Sequence, residues 1–512
     1  MLVHDLLRRS ANRQPEALAL IGPGETLTYA ALDRRCNQAA HALMASGVRR
    51  GDRVAIALEN GADLVAAYFG AMRAGAIAVP LPPGAQNDRF ARAVDDCRPA
   101  ACIADGRTLE ASQRALDAVP SVFVLRPRRG APAPGSTPTP WNAALEASPD
   151  GDPGVRVIDI DTAAIIYTSG STGAPRGAVL SHLNITANTE SIVEYLRLTP
   201  ADRVMCVLPF YYVYGLSLLH THVAVGGSVA IDNRFAFPNA VLAAMQEHKV
   251  TGFAGVPSSF ALLLHRSRLP AMTFPDLRYV TQAGGGMPPA MIREWLAVGP
   301  PVPFYVMYGA TEASARLTYL EPSELGRKLG SIGRAIPNVE MRVLTEDGSP
   351  ARPGEIGELV ARGSNISSGY WQNEEETRAR FGREGYRTGD LGYADAEGFL
   401  FLVGRSQDMI KVGAHRVGAK EIEDVLHEHP SVDQAAVVGV PDRLLGEAPV
   451  AFVCFRREAA GDTDAVLAFC RIKLPRHKVP ARVEALAELP QNSVGKIDKQ
   501  ALRARLDRAH AR

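Results

Sequence analysis

An α/β architecture in two unequal parts is what this sequence predicts, from three changes of texture along its 512 residues. Short β-branched runs alternate with longer apolar-spaced stretches through most of the chain; short strands of antiparallel character begin near residue 355; a third pattern sets in after Arg405. Alternation of this kind suits parallel sheet covered by helices on both faces. The expectation is therefore a large N-terminal domain over 1–404, with a small β-subdomain at roughly 320–404, and a small α+β C-terminal domain over 405–512.

Each part has its own signature. RVAIAL (53–58), AAIIYT (163–168) and RVMCVL (203–208) read as strands, and ADLVAAYFGAMRAG (62–75) as a helix. Between Arg126 and Gly154 the chain is dense in Pro, Gly, Ala and Thr, which predicts a surface loop. EIGELVARG and GFLFLVGR are the short strands of the subdomain. Beyond them AKEIEDVLHEHP (419–430) and TDAVLAFCRIKL are helical, and QAAVVGVPD and APVAFVCF are strands, with the boundary near Gly404 to Asp408. A chain this long exceeds what one core usually serves.

Composition excludes several classes. The 56 basic residues balance 55 acidic ones, so nothing marks a nucleic-acid partner. Six cysteines (36, 97, 102, 206, 454 and 470) form no C-x-x-C pair, which fits buried thiols in a reducing compartment. The opening MLVHDLLRRS breaks its apolar run at Arg8 and Arg9, unlike a secretory signal, so the cytoplasm is expected. The most apolar stretch, Val204 to Ile231, is interrupted by Pro209, His220, His222 and Gly226 and reads as protein interior, not a membrane span.

The strongest local motif is YTSGSTGAPRG (167–177), directly after an apolar run. Gly170, Gly173 and Gly177 free backbone N–H groups to turn toward an anion, and Thr168, Ser169, Ser171 and Thr172 add hydroxyls, so the loop suits phosphates. The spacing of a Walker A loop is absent.

With YGATEAS (308–314), GELVARG (357–363), YRTGDLG (386–392), GRSQDMIKVGAHRVGAKEIE (404–423) and LPQNSVGKID (489–498), the loop makes six segments in order. In that order and spacing the chain resembles the superfamily of adenylate-forming enzymes: acyl-CoA synthetases, peptide-synthetase adenylation domains and luciferases. The N-terminal LTYAALDRRCNQAAHAL (27–43) fits as well. The look is nearest to stand-alone bacterial acyl-CoA or acyl-carrier ligases. The resemblance implies activation of a carboxylic acid by ATP and Mg²⁺ to an acyl-adenylate, then transfer to the thiol of coenzyme A or of a carrier-protein phosphopantetheine.

Roles follow from the resemblance residue by residue. Thr168, Ser169, Gly170, Ser171, Thr172 and Gly173 would hold the β- and γ-phosphates; Arg176 stands where the family usually has Lys, exchanging a point donor for a planar fork. Glu312 would bind Mg²⁺, a hard cation that takes carboxylate oxygen, with Thr311 on the α-phosphate. Tyr308, followed by Gly309, would stack near adenine, and Gly284, Gly285 and Gly286 would let backbone approach the base. Asp390 would clamp both ribose hydroxyls, joined by Arg405. Lys496 is implied as the catalytic cation that neutralises charge between carboxylate and phosphate.

A lysine so near the C-terminus serves only if the small domain closes over the large one. The resemblance implies a mobile lobe that rotates between the two half-reactions about Gln407, a position commonly Asp or Lys. The thiol tunnel would be VGAHR (412–416), with Ala414 where relatives often have Gly, and Arg416 would meet phosphate in one state.

The acyl pocket is expected from FYYVYGLS (210–217), GVPSS (255–259), QAGGG (282–286) and Met307, giving Tyr212, Val213, Tyr214, Gly255 and Met307 as lining residues. Amino-acid-activating relatives place an Asp where this chain has Val213. A buried ammonium without a partner costs several kcal/mol, on the order of an unpaired buried charge, so a short or medium acyl or a compact ring acid is favoured. Two other readings stand beside this: an enzyme loading an amino acid such as proline onto a carrier protein, and an inactive ATP-binding scaffold. A monomer or homodimer is expected.

Overall fold

The computed structural model describes residues 1–84, 88–126, 138–169, 175–413, 415–456, 461–490 and 497–510. Two large sheets form the body. The first runs in the order Thr139–Pro140, Ser121–Leu125, Ala101–Asp105, Arg53–Ala57, Ile77–Pro80, Thr162–Ser169, Pro175–Ser181. All its pairings are parallel except the last, an antiparallel hairpin.

The second sheet has a parallel centre: Ser228–Ile231, Arg203–Cys206, Gly252–Gly255, Tyr279–Gln282 and Phe304–Tyr308. It continues antiparallel through Thr318–Leu320, Ser331–Ala335, Leu400–Arg405, Gly385–Ala394, Gly357–Gly363 and Val339–Leu344. The expected β-subdomain is thus a wing of the main sheet, and the switch to antiparallel pairing falls at the strand that ends on Tyr308.

The helices Ala62–Arg73 and Val213–Val225 share one continuous core with strands of both sheets. Every residue of the first except Asp63 is buried, as is the run from Tyr214 to Val223 in the second. A helix apolar on all sides has to be interior. That is where the apolar stretch 204–231 goes, and among the described residues no helix is long and apolar enough to cross a membrane. All six cysteines are buried free thiols.

One segment departs from expectation. Within the predicted surface loop, Trp141–Glu146 forms a helix whose Trp141 is fully buried edge-on against Phe123, ring centroids 5.4 Å apart. Burying an indole outweighs a composition that favours loops. Residues 127–137 of the same segment lie outside the described residues.

The C-terminal lobe is built on its own sheet: His415–Gly418, Met409–Val412, Gly446–Phe455 and Val432–Asp442, with Arg482–Ala485 beside the third. Helix Ala419–Leu426 ends earlier than its pattern suggested, four residues before Pro430. It packs with Thr463–Lys473 on one face of the sheet, under Ala435 and Val437. Lys499–His510 and Leu489 pack on the other face, under Ala436 and Val438.

Buried histidines make stability depend on pH. Desolvation pushes His220 down to about 3 and His222 down to about 4, because the imidazolium is disfavoured in the core. Both bind a proton in the unfolded chain near pH 6.5 and not in the folded one. Stability is therefore full above about pH 6.5 and falls as pH drops toward the folded values, by up to about 1.4 kcal/mol per pH unit for each. The urea midpoint is expected to be lower at pH 5 than at pH 7.5, with the loss reduced in His220→Gln.

Candidate active site

The C-terminal ends of the parallel strands carry Thr168, Gly255, Tyr308 and the loop after Gln282, as is general for ligand sites in α/β sheets. The phosphate-loop hairpin closes at Thr168 and Arg176, which face each other across its two strands. Its turn, Gly170 to Gly173 with Ser171 and Thr172, lies outside the described residues, as does the side chain of Ser169.

The hairpin is docked on a second segment. Trp371 N–H donates to Gly177 O at 2.7 Å and Val179 N–H to Gly369 O at 3.0 Å. Arg176 pairs with Glu376 at 2.7 Å and lies over the Tyr370 ring at 6.0 Å. The Tyr370 hydroxyl in turn donates to Glu312 Oε1 at 2.7 Å. Arg replacing the expected Lys is thereby tied to the carboxylate expected to hold Mg²⁺, through one tyrosine.

Thr311 and Glu312 sit in a short 3-10 turn that leaves the strand Phe304–Tyr308. Gly309 allows this exit, since a Cβ there would stand 1.8 Å from Ala315 O. Beyond the turn, Ser314 and Ala315 take φ of 56° and 131°, values L-residues rarely adopt. Hydrogen bonds hold them: Ser314 Oγ donates to Asn365 O at 3.0 Å, and Asn365 Nδ2 donates to Ala313 O at 3.1 Å.

Asp390 and Arg405 are paired across neighbouring strands, Arg405 Nε donating to Asp390 Oδ1 at 3.1 Å. The other carboxylate oxygen accepts from Tyr308 Oη at 2.6 Å. Tyr308 is buried, and desolvation with the adjacent Asp390 charge pushes its phenol well above the usual value. Tyr386 is raised as well, first by burial, then by the charges of Glu312 and Asp390. The rings of Tyr386, Phe381 and Tyr370 pack in series, with centroids 5.0 and 5.6 Å apart.

The glycine loop 284–286 follows the strand Tyr279–Gln282 and is exposed. Gly284 has φ +83°, and a Cβ there would meet Val256 at 3.0 Å and Tyr214 at 3.9 Å. Gly255, on the neighbouring strand, is equally crowded by Phe260 at 3.0 Å. Across the loop comes the small lobe: a Cβ on Gly286 would lie 3.2 Å from Cε of Lys420, on helix Ala419–Leu426.

Of the pocket residues, Tyr212 and Val213 begin the helix Val213–Val225 and are part-exposed. The segment before them is held by Asn60, which bonds Leu208 O and Phe210 N at 2.9 Å each. Tyr214 and Met307 are buried, with Tyr214 Oη 3.2 Å from Thr281 O. The motif residues gave no warning of Arg316, Tyr195 or Tyr370. Arg316 stands two residues beyond the end of YGATEAS, and a charge at the edge of the run LTYL was the available signal.

The remaining expectations are placed as follows. Gln407 lies in the turn Ser406–Asp408 at the lobe boundary, its side chain outside the described residues. Arg416 forms an ion pair with Glu346 of the large domain. Ala414 and Lys496 lie outside the described residues. A lone carboxylate such as Glu312 suits Mg²⁺, which keeps waters and phosphate oxygens as its other ligands.

Known proteins share this arrangement. The profile of the AMP-binding enzyme family matches residues 7–371, and that of the AMP-binding enzyme C-terminal domain matches 421–496. An indoleacetate–CoA ligase of Aromatoleum aromaticum is 31% identical, covering 98% of each chain. A feruloyl-CoA synthase of Amycolatopsis is 32% identical over 97% of each. The crystal structure of ATP-bound MatB from Rhodopseudomonas palustris superposes with a TM-score of 0.88 at 29% identity, covering 99% of each chain. Profiles matching 7–371 and 421–496, with relatives aligned over nearly the whole chain, make this chain a member of the AMP-binding enzyme family within the adenylate-forming superfamily.

Proposed function

We propose that this protein is an AMP-forming acid–CoA ligase that activates a carboxylic acid as its acyl-adenylate and passes the acyl group to a thiol. The observation that carries the proposal is a pair of preorganised sets, Arg176, Tyr370 and Glu312 in one and Tyr308, Asp390 and Arg405 in the other, with Tyr386 packed through Phe381 onto the first. An idle scaffold has no use for a preorganised set spanning phosphate, metal and ribose positions.

In this reading Asp390 accepts both ribose hydroxyls, displacing the Tyr308 and Arg405 bonds that occupy it in the free protein. The hairpin and Arg176 orient the pyrophosphate so that its leaving charge meets fixed cations, and Thr311 addresses the α-phosphate. Mg²⁺ held on Glu312 would neutralise phosphate charge. Lys496 is assigned to the carboxylate and α-phosphate during attack.

The small lobe presents its Ala419–Leu426 face, with Lys420, to the glycine loop. Ile497, next to the proposed catalytic lysine, packs with the opposite face, beside Val438 and Phe452. Two faces with two tasks favour a rotating lobe, with the turn at Gln407 as pivot.

Aromatic acids in the names of the indoleacetate and feruloyl relatives favour a compact ring acid as one substrate class. An amino acid is disfavoured, since Val213 supplies no carboxylate and a buried Arg316 would repel an ammonium. Free coenzyme A is the preferred acceptor. A pyrophosphate-release and hydroxamate screen over carboxylic acids, with ATP and Mg²⁺, tests the first step; coenzyme A against a phosphopantetheinylated carrier protein tests the second. Acid-dependent pyrophosphate release with thioester formed on coenzyme A is expected, and no release with any acid overturns the proposal.

A further inference from the structure

Arg316 is 2% exposed, yet among the described residues it makes no ion pair with a carboxylate. Buried guanidinium groups are normally paired, because leaving water without a counter-charge is costly. Here the partners are weak ones: Nε donates to the thioether sulfur of Met307 at 3.3 Å, Nη1 reaches Ala315 O at 3.4 Å, and the group lies 4.2 Å over the Tyr214 ring. The Tyr195 hydroxyl, also buried, donates to the same Met307 sulfur at 3.0 Å. Two strong donors thus converge on one weak acceptor.

The placement of that arginine is closely controlled. Its backbone N–H and C=O are both held by Asn188, at 3.3 and 2.9 Å, and its C=O accepts a second bond from Asn365 at 2.9 Å. The two positive-φ residues before it, Ser314 and Ala315, bend the chain inward to deliver it. Two buried asparagines and a strained turn hold a side chain whose partners among the described residues are a sulfur, a ring face and the carbonyl of its chain neighbour. Tyr214 and Met307, which it touches, are residues expected to line the acyl pocket.

From this we propose that Arg316 and Tyr195 form a subsite for a second anionic group, a carboxylate or sulfonate, at the far end of the acid substrate. Met307 fills the subsite in the free protein and, being unbranched with three rotatable bonds, swings aside when the anion enters. The anion then accepts from the guanidinium and from the Tyr195 hydroxyl in place of the sulfur. The inference rests on the ligase reading, since it assigns the tail-binding end of the same pocket.

The test compares acids matched in length with and without a distal charge: glutarate against pentanoate, terephthalate against 4-methylbenzoate, 3-sulfopropanoate against butanoate. In the pyrophosphate assay at least one charged member is expected to exceed its neutral partner in kcat/KM by roughly tenfold or more. Arg316→Met should bring that ratio to about one, Arg316→Lys should retain part of it, and Tyr195→Phe should lower it by about tenfold or less. Calorimetric titration of the charged acids, with a non-hydrolysable ATP analogue present, reads the subsite without the chemistry. Thermal melting reports whether each variant is folded; if Arg316→Met is not, Arg316→Lys and Tyr195→Phe carry the comparison.

Preference for the neutral member of every pair, or a ratio unmoved by the Arg316 variants, overturns the subsite while leaving the ligase reading intact. Absence of pyrophosphate release, with charged acids still binding in an Arg316-dependent way, overturns ligation and keeps the subsite. Neither turnover nor binding overturns both.

Discussion

Lys496→Ala is expected to lower acyl-adenylate formation by roughly 10²- to 10³-fold, the usual loss when one preorganised donor to developing charge is removed. ATP affinity should change little, because the residues proposed for the ribose, adenine and metal positions lie outside the C-terminal sheet that carries Lys496's segment. If the lobe rotates between half-reactions, the variant should still convert preformed acyl-adenylate to thioester within a few-fold of the parent rate. Stopped-flow pyrophosphate release and thioester formation from synthetic acyl-adenylate separate the two steps. Adenylation at the parental rate would remove Lys496 from the mechanism; equal loss in both steps would argue against a lobe with two tasks.

The second large effect is expected at Asp390. Replacing it with Ala removes two charge-assisted bonds to the ribose, each worth about 1.5–3 kcal/mol, so kcat/KM for ATP should fall by roughly 10²-fold or more. The same change strips the acceptor from Tyr308 Oη, buried and 2.6 Å away, so about 1–3 kcal/mol of stability should go with it. Asp390→Asn keeps an acceptor for Tyr308 and is expected to recover most of the stability and only part of the ATP affinity. Denaturant melts beside steady-state kinetics distinguish the two losses, and an Ala variant with unchanged ATP dependence would sink the ribose assignment.

How much was readable in the chain divides along clear lines. RVAIAL and RVMCVL form buried parallel strands, and 64–72, which has no charged residue, forms the buried length of a helix, because a local pattern with no polar face has only one place to go. Trp141 shows the opposite case: its segment is loop-like in composition, and only the presence of Phe123 on a neighbouring strand makes helix there worthwhile. The subdomain strands were visible, but their membership of the main sheet depends on the edge that Thr318–Leu320 offers to Ser331–Ala335.

At the site, the motifs' resemblance to the family named Glu312, Asp390 and Arg405, because each sits inside a short recognisable segment. The motifs did not name Tyr370, which links residues 176 and 312, or Tyr386, packed onto it through Phe381, since these act only through contacts distant along the chain.

By itself the sequence determined the class of architecture, since periodicity acts over a few residues, and the family, since its six motif segments stand in order along the chain. Tertiary structure alone decided which charges find partners. Arg316 is one arginine among many until folding buries it beside Tyr195, Tyr214 and Met307 with no carboxylate paired to it among the described residues, and burial is what turns an ordinary cation into one that calls for an anion.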